Sequence, residues 1–311
     1  MNRRAFGNTG IQVSEVGLGA WQLGNQYGDH GMKEEEGLHI VQEALKEGCN
    51  FFDTAPNYAL GRSEMILGKA LEGIRENVVI SSKFGHHDDG EIDFNPARIR
   101  ESVQKSMERL KTDYLDSLLL HNPPYEILSG NDPHFKIMKE LQDEGVIRHF
   151  GVSVDTADEM FKALNETDSQ VIEVMYNIFH QDPARAFQLA KEKGVAIIIK
   201  VPLDSGWLSG KYDTTSSFTD IRSRWTPEII ERRTAMFNHL KTIVPDDRSM
   251  IDHAMQFILA RPEVATVIPG AKSVNQLKSN METAKKTMDP EVRSAIEGMW
   301  EKELKENGLP W

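Results

Sequence analysis

Eight short apolar runs alternate along the chain with longer amphipathic segments. The runs lie at residues 16–21, 50–55, 78–83, 115–121, 149–154, 171–176, 195–201 and 264–270. They are β-rich and almost continuously apolar, as expected of parallel strands that are covered on both faces. Eight such β/α units predict an α/β protein with the (β/α)8 TIM-barrel fold. A doubly wound open sheet is the alternative, but none of the runs is followed by a GxGxxG motif.

Three segments fall outside the eightfold pattern. Residues 3–13 have the sequence of a β-hairpin, which turns at NTG and is expected to close the floor of the barrel. Residues 204–247 form a long insertion after the seventh strand, with a helix near residues 227–243, and residues 289–305 form a final helix. Since no linker, repeat or low-complexity segment divides the chain, we predict a single domain over residues 1–311.

Charge and cysteine content limit the partners and the compartment. The net charge of -12 argues against a nucleic-acid or anionic-membrane partner, because phosphate recognition requires clustered Lys and Arg. The single cysteine, Cys49, excludes an intrachain disulfide and is expected to be a small core residue. The first residues lack the apolar core of a signal peptide, and no run approaches the roughly 18 apolar residues of a membrane span. We therefore predict a cytoplasmic protein.

Polar side chains stand at the carboxyl ends of neighbouring predicted strands, where barrels of this kind carry their chemistry. The second strand ends at Asp53, the third at Lys83 and the fourth at His121, and Tyr58 follows the second strand in the stretch FFDTAPNY. A lone Asp at such an end is usually a turn or helix-capping residue, and a lone His is usually structural. Four complementary side chains at adjacent strand ends instead indicate one active site.

These four side chains suit proton transfer to a carbonyl oxygen. The pKa of tyrosine is ordinarily about 10, and a nearby Lys83 ammonium is expected to lower the pKa of Tyr58. Asp53 would keep Lys83 charged and oriented, while a neutral His121 would donate to the carbonyl oxygen and hold it near the phenol. Because none of these side chains can supply hydride, a cofactor must.

Six motifs, in the same order, resemble the signatures of the aldo-keto reductases. They are GNTGIQVSEVGLGAWQLG (7–24), DTAPNYALGRSEMILGKAL (53–71), LLLHNP (118–123), GVSV (151–154), PLDSGWLSGKY (202–212) and IPGAKSVNQLKSN (268–280). The resemblance spans nearly the whole chain, and it implies a barrel that binds NADP(H) or NAD(H) and reversibly reduces aldehydes or ketones. It also implies a catalytic tetrad of Asp53, Tyr58, Lys83 and His121, with Tyr58 as the general acid in reduction and the base in oxidation.

The same resemblance implies a set of cofactor contacts. They are Gly19, Ala20, Trp21, Asp53, Ser153, Glu173, Lys200, Val201, Pro202, Leu203, Ser205, Gly206, Leu208, Lys211, Gly270, Lys272, Gln276 and Asn280. Residues 203–211 resemble the loop that covers the pyrophosphate. Around the nicotinamide, Val154, Glu173 and Lys200 stand where the family usually has Asn, Gln and an aromatic residue. From sequence, Lys200 can meet the pyrophosphate, pair with Glu173 or point away.

Preference between the two dinucleotides depends on cations near the 2′-phosphate. Gly270 and Gln276 stand where Lys and Arg are common in the family, which leaves Lys272 to supply positive charge. Asn280 would hydrogen-bond the adenine. A single ammonium lacks the bidentate geometry of Arg, so NADP(H) is favoured only slightly over NAD(H). The alternative is that Lys272 and Lys278 are solvated helix charges.

The substrate pocket is predicted from aromatic and polar side chains near the same strand ends. Its walls are Trp21, Tyr58, Phe84, His121, Asn122 and Trp225, with His86 or His87 beside them. Such walls suit a small polar aldehyde, ketone or sugar. No metal site is predicted, because the adjacent histidines of GHHDD diverge on a loop and lack partners at metal-binding spacing.

Two other functions stay open at this point. One is a nucleotide-binding sensor or regulatory barrel with little turnover, which the altered nicotinamide contacts permit and the complete tetrad disfavours. The other is a sugar dehydrogenase that works mainly in oxidation, since reaction direction depends on the cellular cofactor ratio as much as on residues.

Overall fold

Parallel strands and helices alternate in the predicted order in the computed structural model, which describes residues 1–25 and 31–310. The strands are β1 (Arg3–Ala5), β2 (Gln12–Ser14), β3 (Leu18–Gly19), β4 (Phe51–Asp53), β5 (Val79–Phe84), β6 (Leu115–His121), β7 (Ile147–Val154), β8 (Val171–Met175), β9 (Ala196–Lys200) and β10 (Val264–Val267). The helices are α1 (Glu34–Lys46), α2 (Arg62–Ala70), α3 (Ile99–Leu110), α4 (Pro133–Asp143), α5 (Ala157–Glu166), α6 (Phe187–Glu192), α7 (Pro227–Ile243), α8 (Met250–Leu259), α9 (Val274–Glu282) and α10 (Pro290–Glu303).

Strands β3 to β10 pair in sequence order as one parallel sheet, and the two edges of this sheet meet. The backbone N–H of Gly17 donates to the carbonyl oxygen of Val267 at 2.8 Å, and a parallel bridge joins Gly19 to Gly270. Gly19 has to be glycine, because a Cβ there would lie 2.6 Å from the carbonyl oxygen of Ile268. The predicted (β/α)8 barrel is confirmed in the described part of the chain.

Alternate residues of the barrel strands face the interior and the surrounding helices. Phe51, Val79, Leu119, Val171 and Ile198 pack together inside the barrel. Their strand neighbours belong to the larger core between the sheet and the helices. Burial on both faces explains the nearly continuous apolar runs. The same alternation decides which side chains near the strand ends can reach the mouth of the barrel.

The amino-terminal hairpin closes the floor of the barrel, as predicted. Strands β1 and β2 are antiparallel, with Arg3 opposite Ser14. Phe6 and Val13 are fully buried and pack into the interior cluster, where the ring centroid of Phe6 lies 5.5 Å from that of Phe51. The hairpin therefore buries apolar area at the amino ends of the strands and leaves their carboxyl ends open.

Helix boundaries follow the sequence signals. Gly48, Gly145 and Gly194 follow α1, α4 and α6 with φ of 86°, 78° and 69°, the left-handed conformation that glycine adopts without strain. Thr156 and Ser249 cap α5 and α8 through reciprocal side-chain and backbone hydrogen bonds. Among the helices of residues 1–25 and 31–310, none is long and apolar enough to cross a bilayer.

The long insertion and the carboxyl-terminal segment are held together. The predicted helix of the insertion is α7, and the predicted final helix is α10. From α7, Arg232 donates to the carbonyl oxygen of Gly308 at 3.0 Å, and Arg233 donates to that of Pro310 at 2.6 Å. These contacts anchor the residues that follow α10 against the insertion.

Candidate active site

Lys83 occupies the centre of a buried polar cluster near the carboxyl ends of the barrel strands. Its Nζ donates to both carboxylate oxygens of Asp53, at 2.7 and 2.6 Å, and to the carbonyl oxygen of Thr54 at 3.0 Å. Glu173 Oε2 lies 3.3 Å from the same ammonium. The side chains of Lys83, Asp53 and Glu173 are 0%, 2% and 2% exposed. Lys83 is therefore shared by two buried carboxylates, whereas the sequence predicted Asp53 as its partner.

The charges of this cluster shift the pKa values of its members in different directions. Burial lowers the pKa of Lys83, but Asp53 and Glu173 outweigh burial and raise it, so the ammonium stays charged. Burial and the charge of Glu173 raise the pKa of Asp53 well above its usual range. Burial also acts to raise the pKa of Glu173, but Lys83 and Lys200 outweigh it, and that pKa is lowered. Two carboxylates around this ammonium thus favour one retained proton.

Tyr58 reaches the cluster from a tight turn after β4. Ala59, Leu60 and Gly61 have φ of 51°, 55° and 83°, and this left-handed run turns the chain sharply into α2. The Nζ of Lys83 lies 5.3 Å from the centroid of the Tyr58 ring. Burial nevertheless raises the pKa of Tyr58 above its usual value, and the Lys83 charge opposes this only in part. Lys83 therefore acts to lower the pKa of Tyr58, as expected, but burial outweighs it, and Tyr58 is a phenol that can donate its proton.

His121, at the end of β6, is held between two aromatic rings. The Tyr58 ring meets it edge-on, with centroids 5.9 Å apart, and the His86 ring stacks on it with centroids 4.4 Å apart. Burial lowers the pKa of His121 well below its usual value, with smaller contributions from Lys83, His86 and Lys200. His121 is therefore neutral near pH 7, as expected from the sequence. Its Nδ1 is buried and has no hydrogen-bond partner among the described residues.

The two histidines of GHHDD occupy different environments. His86 is partly exposed and stacks on His121 in the mouth. His87 is buried, and its Nε2 lies 2.9 Å from the carbonyl oxygen of Asp93. Across residues 1–25 and 31–310, no three His, Cys, Asp or Glu side chains form a group that could hold a metal ion. His86 is thus the member of this pair that can meet a substrate.

Lys200 turns toward the neighbouring strand ends. Its Nζ donates to Asn122 Oδ1 at 2.6 Å and to Ser153 Oγ at 2.9 Å, and it lies 3.0 Å from Asp155 Oδ1. Ser153 Oγ in turn donates to Glu173 Oε1 at 3.0 Å. Of the placements that the sequence left open, direct pairing of Lys200 with Glu173 is not found. Lys200 instead reaches Glu173 through Ser153.

The backbone after β9 is strained along the segment predicted to cover a pyrophosphate. Val201, Asp204 and Ser205 have φ of 53°, 47° and 55°, and Gly206 has φ of 94°. Non-glycine residues in this region cluster at ligand-binding loops, and such turns can direct backbone N–H groups at an anion. The segment therefore fits a phosphate-bearing ligand. Leu208 is fully buried, so its side chain is part of the core and not of this surface.

The segment before α9 forms the other predicted end of a cofactor site. Asn280 Nδ2 donates to the carbonyl oxygen of Gly270 at 3.2 Å, and Gln276 Oε1 accepts from the backbone N–H of Lys272 at 2.8 Å. The Lys272 side chain is exposed, whereas Lys278 Nζ lies 3.0 Å from a glutamate oxygen of α1. Lys278 is therefore engaged by α1, and Lys272 faces solvent.

Two predicted pocket walls lie in the core instead. Phe84 is fully buried, because its place in β5 next to the inward-facing Lys83 turns its ring toward the helices, where it packs against Phe94. Trp225 is buried in the insertion, with its ring centroid 5.9 Å from that of Trp207. Both predictions are wrong, because strand alternation and the packing of the insertion set these directions.

Strand alternation also separates the three departures from the family pattern. Glu173 and Lys200 join the polar network of the mouth, whereas Val154 is buried in the core between sheet and helices.

The other predicted cofactor and pocket residues differ in exposure. Those exposed or partly exposed are Trp21, Asn122, Val201, Leu203, Ser205, Gly206, Lys211, Gly270, Lys272 and Gln276. Those buried are Gly19, Ala20, Pro202 and Asn280. A buried glycine or alanine can still offer its backbone to a ligand.

Asp155 and Arg222 were not found by sequence reasoning. Asp155 pairs with Lys200, and its position directly after a predicted strand was a usable signal. Arg222 lies in the insertion, pairs with Asp220 and donates to the carbonyl oxygen of Ser205 at 3.4 Å. Its side-chain hydrogen bond lowers the pKa of Asp220, with a smaller contribution from the more distant Lys272. No local pattern could have predicted the contacts of Lys200 with Asp155 and of Arg222 with Ser205, because they join segments that are distant in sequence.

Similarity to known proteins agrees with this fold and geometry. Residues 15–301 match the family model described as the Aldo/keto reductase family. The oxidoreductase YqkF of Bacillus subtilis is 31% identical to this chain, and the match covers 91% of each sequence. L-galactose dehydrogenase of Arabidopsis thaliana is 30% identical over 96% of this chain and 94% of its own length.

A solved structure supports the same assignment. The aldo-keto reductase AKR11C1 from Bacillus halodurans, in its holo form, is 30% identical and superposes with a TM-score of 0.82 over 96% of both chains. The chain therefore belongs to the aldo/keto reductase family, whose members are oxidoreductases acting on carbonyl and alcohol substrates.

Proposed function

We propose that this chain interconverts an aldehyde or ketone and the corresponding alcohol by hydride transfer with a nicotinamide dinucleotide. The observation that carries the proposal is the convergence of Tyr58, Lys83 and His121 on one opening, with Lys83 held 2.6 Å from Asp53. A proton donor beside a fixed cation and a neutral imidazole is the arrangement that a carbonyl oxygen requires as negative charge develops on it.

Each side chain has a distinct part in the proposed reduction. A ring N–H of neutral His121 donates to the carbonyl oxygen and orients it. Tyr58 Oη gives its proton to the oxygen as the alkoxide forms. Lys83 stabilises the resulting phenolate, which offsets the cost of ionising a partly buried phenol, and Asp53 keeps the ammonium in position. In the oxidation of an alcohol the same steps run in reverse, with Tyr58 as the base.

The residues present fit a nicotinamide dinucleotide. The reduced cofactor supplies the hydride that no side chain of the cluster can. The left-handed turns at Val201 and at residues 204–206 suit a pyrophosphate, and Asn280 and Lys272 suit the adenosine end. Because aldo/keto reductases use NAD(P)H in general, the dinucleotide class is the main expectation. The exposed Lys272 favours NADP(H) slightly over NAD(H).

Nucleotide binding is the first experiment, because it requires no knowledge of the substrate. The purified protein is titrated separately with NADPH and NADH while its tryptophan fluorescence is followed. We expect saturable quenching by at least one of them, since Trp21 is partly exposed at the mouth. Trp21→Phe should remove much of the signal without abolishing binding. A folded sample that binds neither nucleotide would contradict the proposed function.

Lys272→Ala is expected to weaken NADPH binding by about fivefold and to leave NADH binding nearly unchanged. An exposed ammonium paired with a phosphate contributes on the order of 1 kcal/mol. The matched control is Lys278→Ala, because Lys278 belongs to the same segment but is engaged by a glutamate of α1 at 3.0 Å. Equal losses for both nucleotides in Lys272→Ala would mean that Lys272 does not recognise the 2′-phosphate.

A second candidate function is the oxidation of an aldose. It is favoured by the similarity to a plant L-galactose dehydrogenase at 30% identity over nearly the full length of both chains. Initial rates with a panel of aldoses and oxidised nucleotide, compared with rates for aldehydes and reduced nucleotide, separate the two directions. Saturable nucleotide binding without turnover in either direction would instead favour a sensor.

A further inference from the structure

A continuous chain of polar contacts runs from Lys83 to the solvent side of the mouth. Lys83 Nζ lies 3.3 Å from Glu173 Oε2, and Glu173 Oε1 accepts a hydrogen bond from Ser153 Oγ at 3.0 Å. Ser153 Oγ accepts from Lys200 Nζ at 2.9 Å, and Lys200 Nζ lies 3.0 Å from Asp155 Oδ1. The steps from Lys200 through Ser153 to Glu173 are hydrogen bonds, whereas Glu173 and Lys83 form an ion pair, and Lys83 is hydrogen-bonded to Asp53 at 2.6 Å.

Exposure increases along this chain from one end to the other. The side chains of Lys83 and Glu173 are 0% and 2% exposed, whereas those of Lys200 and Asp155 are 13% and 32% exposed. The inner end is therefore dry, and the outer end is in contact with water. A proton that reaches Lys200 from solvent therefore has a path of polar contacts to the buried cluster.

The hydrogen bonds of this chain point inward. The Lys200 ammonium donates to the Ser153 hydroxyl, and that hydroxyl donates to Glu173. Ser153 Oγ is also 3.5 Å from Asn122 Oδ1, a distance too long to compete with the shorter bond to Glu173. Because each proton already lies on the outer partner, transfer toward Glu173 requires no rotation of the hydroxyl.

The buried cluster is also able to hold a proton in reserve. Asp53 and Glu173 both contact the Lys83 ammonium, so full ionisation of both would leave excess negative charge in a nearly dry site. Sharing one proton between the two carboxylates removes that excess. Glu173 therefore changes the chemistry of the site, because a neutral side chain there would leave Asp53 and Lys83 as a balanced ion pair.

We propose that Glu173, Ser153 and Lys200 form a proton relay that resupplies Tyr58 through Lys83 after each carbonyl reduction. Tyr58 gives its proton to the alkoxide, Lys83 gives one to the phenolate, and the Asp53–Glu173 pair returns one to the Lys83 amine. Ser153 then gives its hydroxyl proton to the pair and takes one from Lys200, which regains its own from water. One solvent proton is consumed, and every group regains its starting protonation once the Ser153 hydroxyl rotates back toward Glu173.

The relay rests on the proposed function, and its members act through Lys83, so they are positioning residues. Ser153→Ala is the sharpest variant, because it removes one hydroxyl and no charge. At saturating nucleotide we expect its first turnover to be slowed much less than its later ones, since Tyr58 begins protonated. The steady-state kcat should fall about a hundredfold, the lower end of what a positioned proton-transfer group contributes, with an increased solvent isotope effect.

Matched variants separate a relay from a structural role. Ser117→Ala removes another buried barrel hydroxyl, one without a hydrogen-bond partner among the described residues, and should leave kcat unchanged. Ser153→Thr retains the hydroxyl and should restore turnover. Ser153→Ala that slows the first turnover as much as later ones, or that leaves the steady-state rate unchanged, would overturn the relay.

The shared proton has its own test, which requires no turnover. Infrared spectra of the wild type and of Glu173→Gln are compared, both nucleotide-free and near neutral pH. The wild type should show the band of a protonated carboxyl that Glu173→Gln lacks. Its absence from the wild type, or its persistence in Glu173→Gln, would overturn the proposal. If the wild type reduces no carbonyl with either nucleotide, the proposed function fails. The infrared result then still decides whether Glu173 and Asp53 share a proton.

Discussion

Tyr58→Phe is expected to bind nucleotide as the wild type does but to lose carbonyl reduction by about 10²- to 10⁴-fold, the range that a positioned general acid contributes. The substitution removes one hydroxyl and keeps the ring that packs edge-on against His121, with centroids 5.9 Å apart. Because burial keeps the phenol protonated, this hydroxyl is the proton source next to Lys83. Single-turnover rates with saturating reduced nucleotide measure the loss directly.

The matched control is Tyr114→Phe. The Tyr114 hydroxyl is buried and has no hydrogen-bond partner among the described residues, and Tyr114 precedes β6 at the opposite end of the strand from His121. We expect this control to keep the wild-type rate. Retained kcat in Tyr58→Phe would remove Tyr58 from the role of proton donor. Loss of nucleotide binding in Tyr58→Phe would instead indicate that the hydroxyl supports the binding site.

The order of strands and helices was predictable because it depends on local pattern. A parallel strand covered on both faces must be apolar nearly throughout, and a helix that ends in the left-handed conformation favours glycine, as at Gly48 and Gly145. The exact ends were less predictable. Glu173 was expected near the end of its strand but lies two positions inside β8, and it therefore reaches the buried Lys83.

The members of the candidate site were predictable as residue types at strand ends, but their partners were not. Which neighbour meets Lys83 or Lys200 depends on register between strands that are distant in sequence, and the contacts of Lys83 with Glu173 and of Lys200 with Asp155 arise there. The pKa of Tyr58 illustrates the same limit. The sequence indicates a nearby ammonium, but only the folded chain reveals burial strong enough to outweigh it.

Arg233→Met is expected to lower the free energy of unfolding by about 3–5 kcal/mol, the usual cost of removing one partner of a buried ion pair. Arg233 pairs with Asp204, and their side chains are 1% and 4% exposed. The guanidinium carbon also lies 4.4 Å from the centroid of the Trp225 ring. Without Arg233, a carboxylate remains buried, and burial already raises the pKa of Asp204. Urea denaturation with matched m values measures the change.

Arg232→Met is the control, because this neighbouring guanidinium is more exposed and donates to the carbonyl oxygen of Gly308 at 3.0 Å. Its loss should cost about 1 kcal/mol or less.

Adding Asp204→Asn to Arg233→Met should recover part of the stability, since the buried charge is then gone. An unpaired Asp204 keeps a raised pKa in the folded protein. The loss of unfolding free energy in Arg233→Met should therefore become smaller as the pH falls through that pKa, because the buried carboxylate is then protonated. A deficit equal to that of Arg232→Met and independent of pH would mean that Asp204 is solvated once Arg233 is removed.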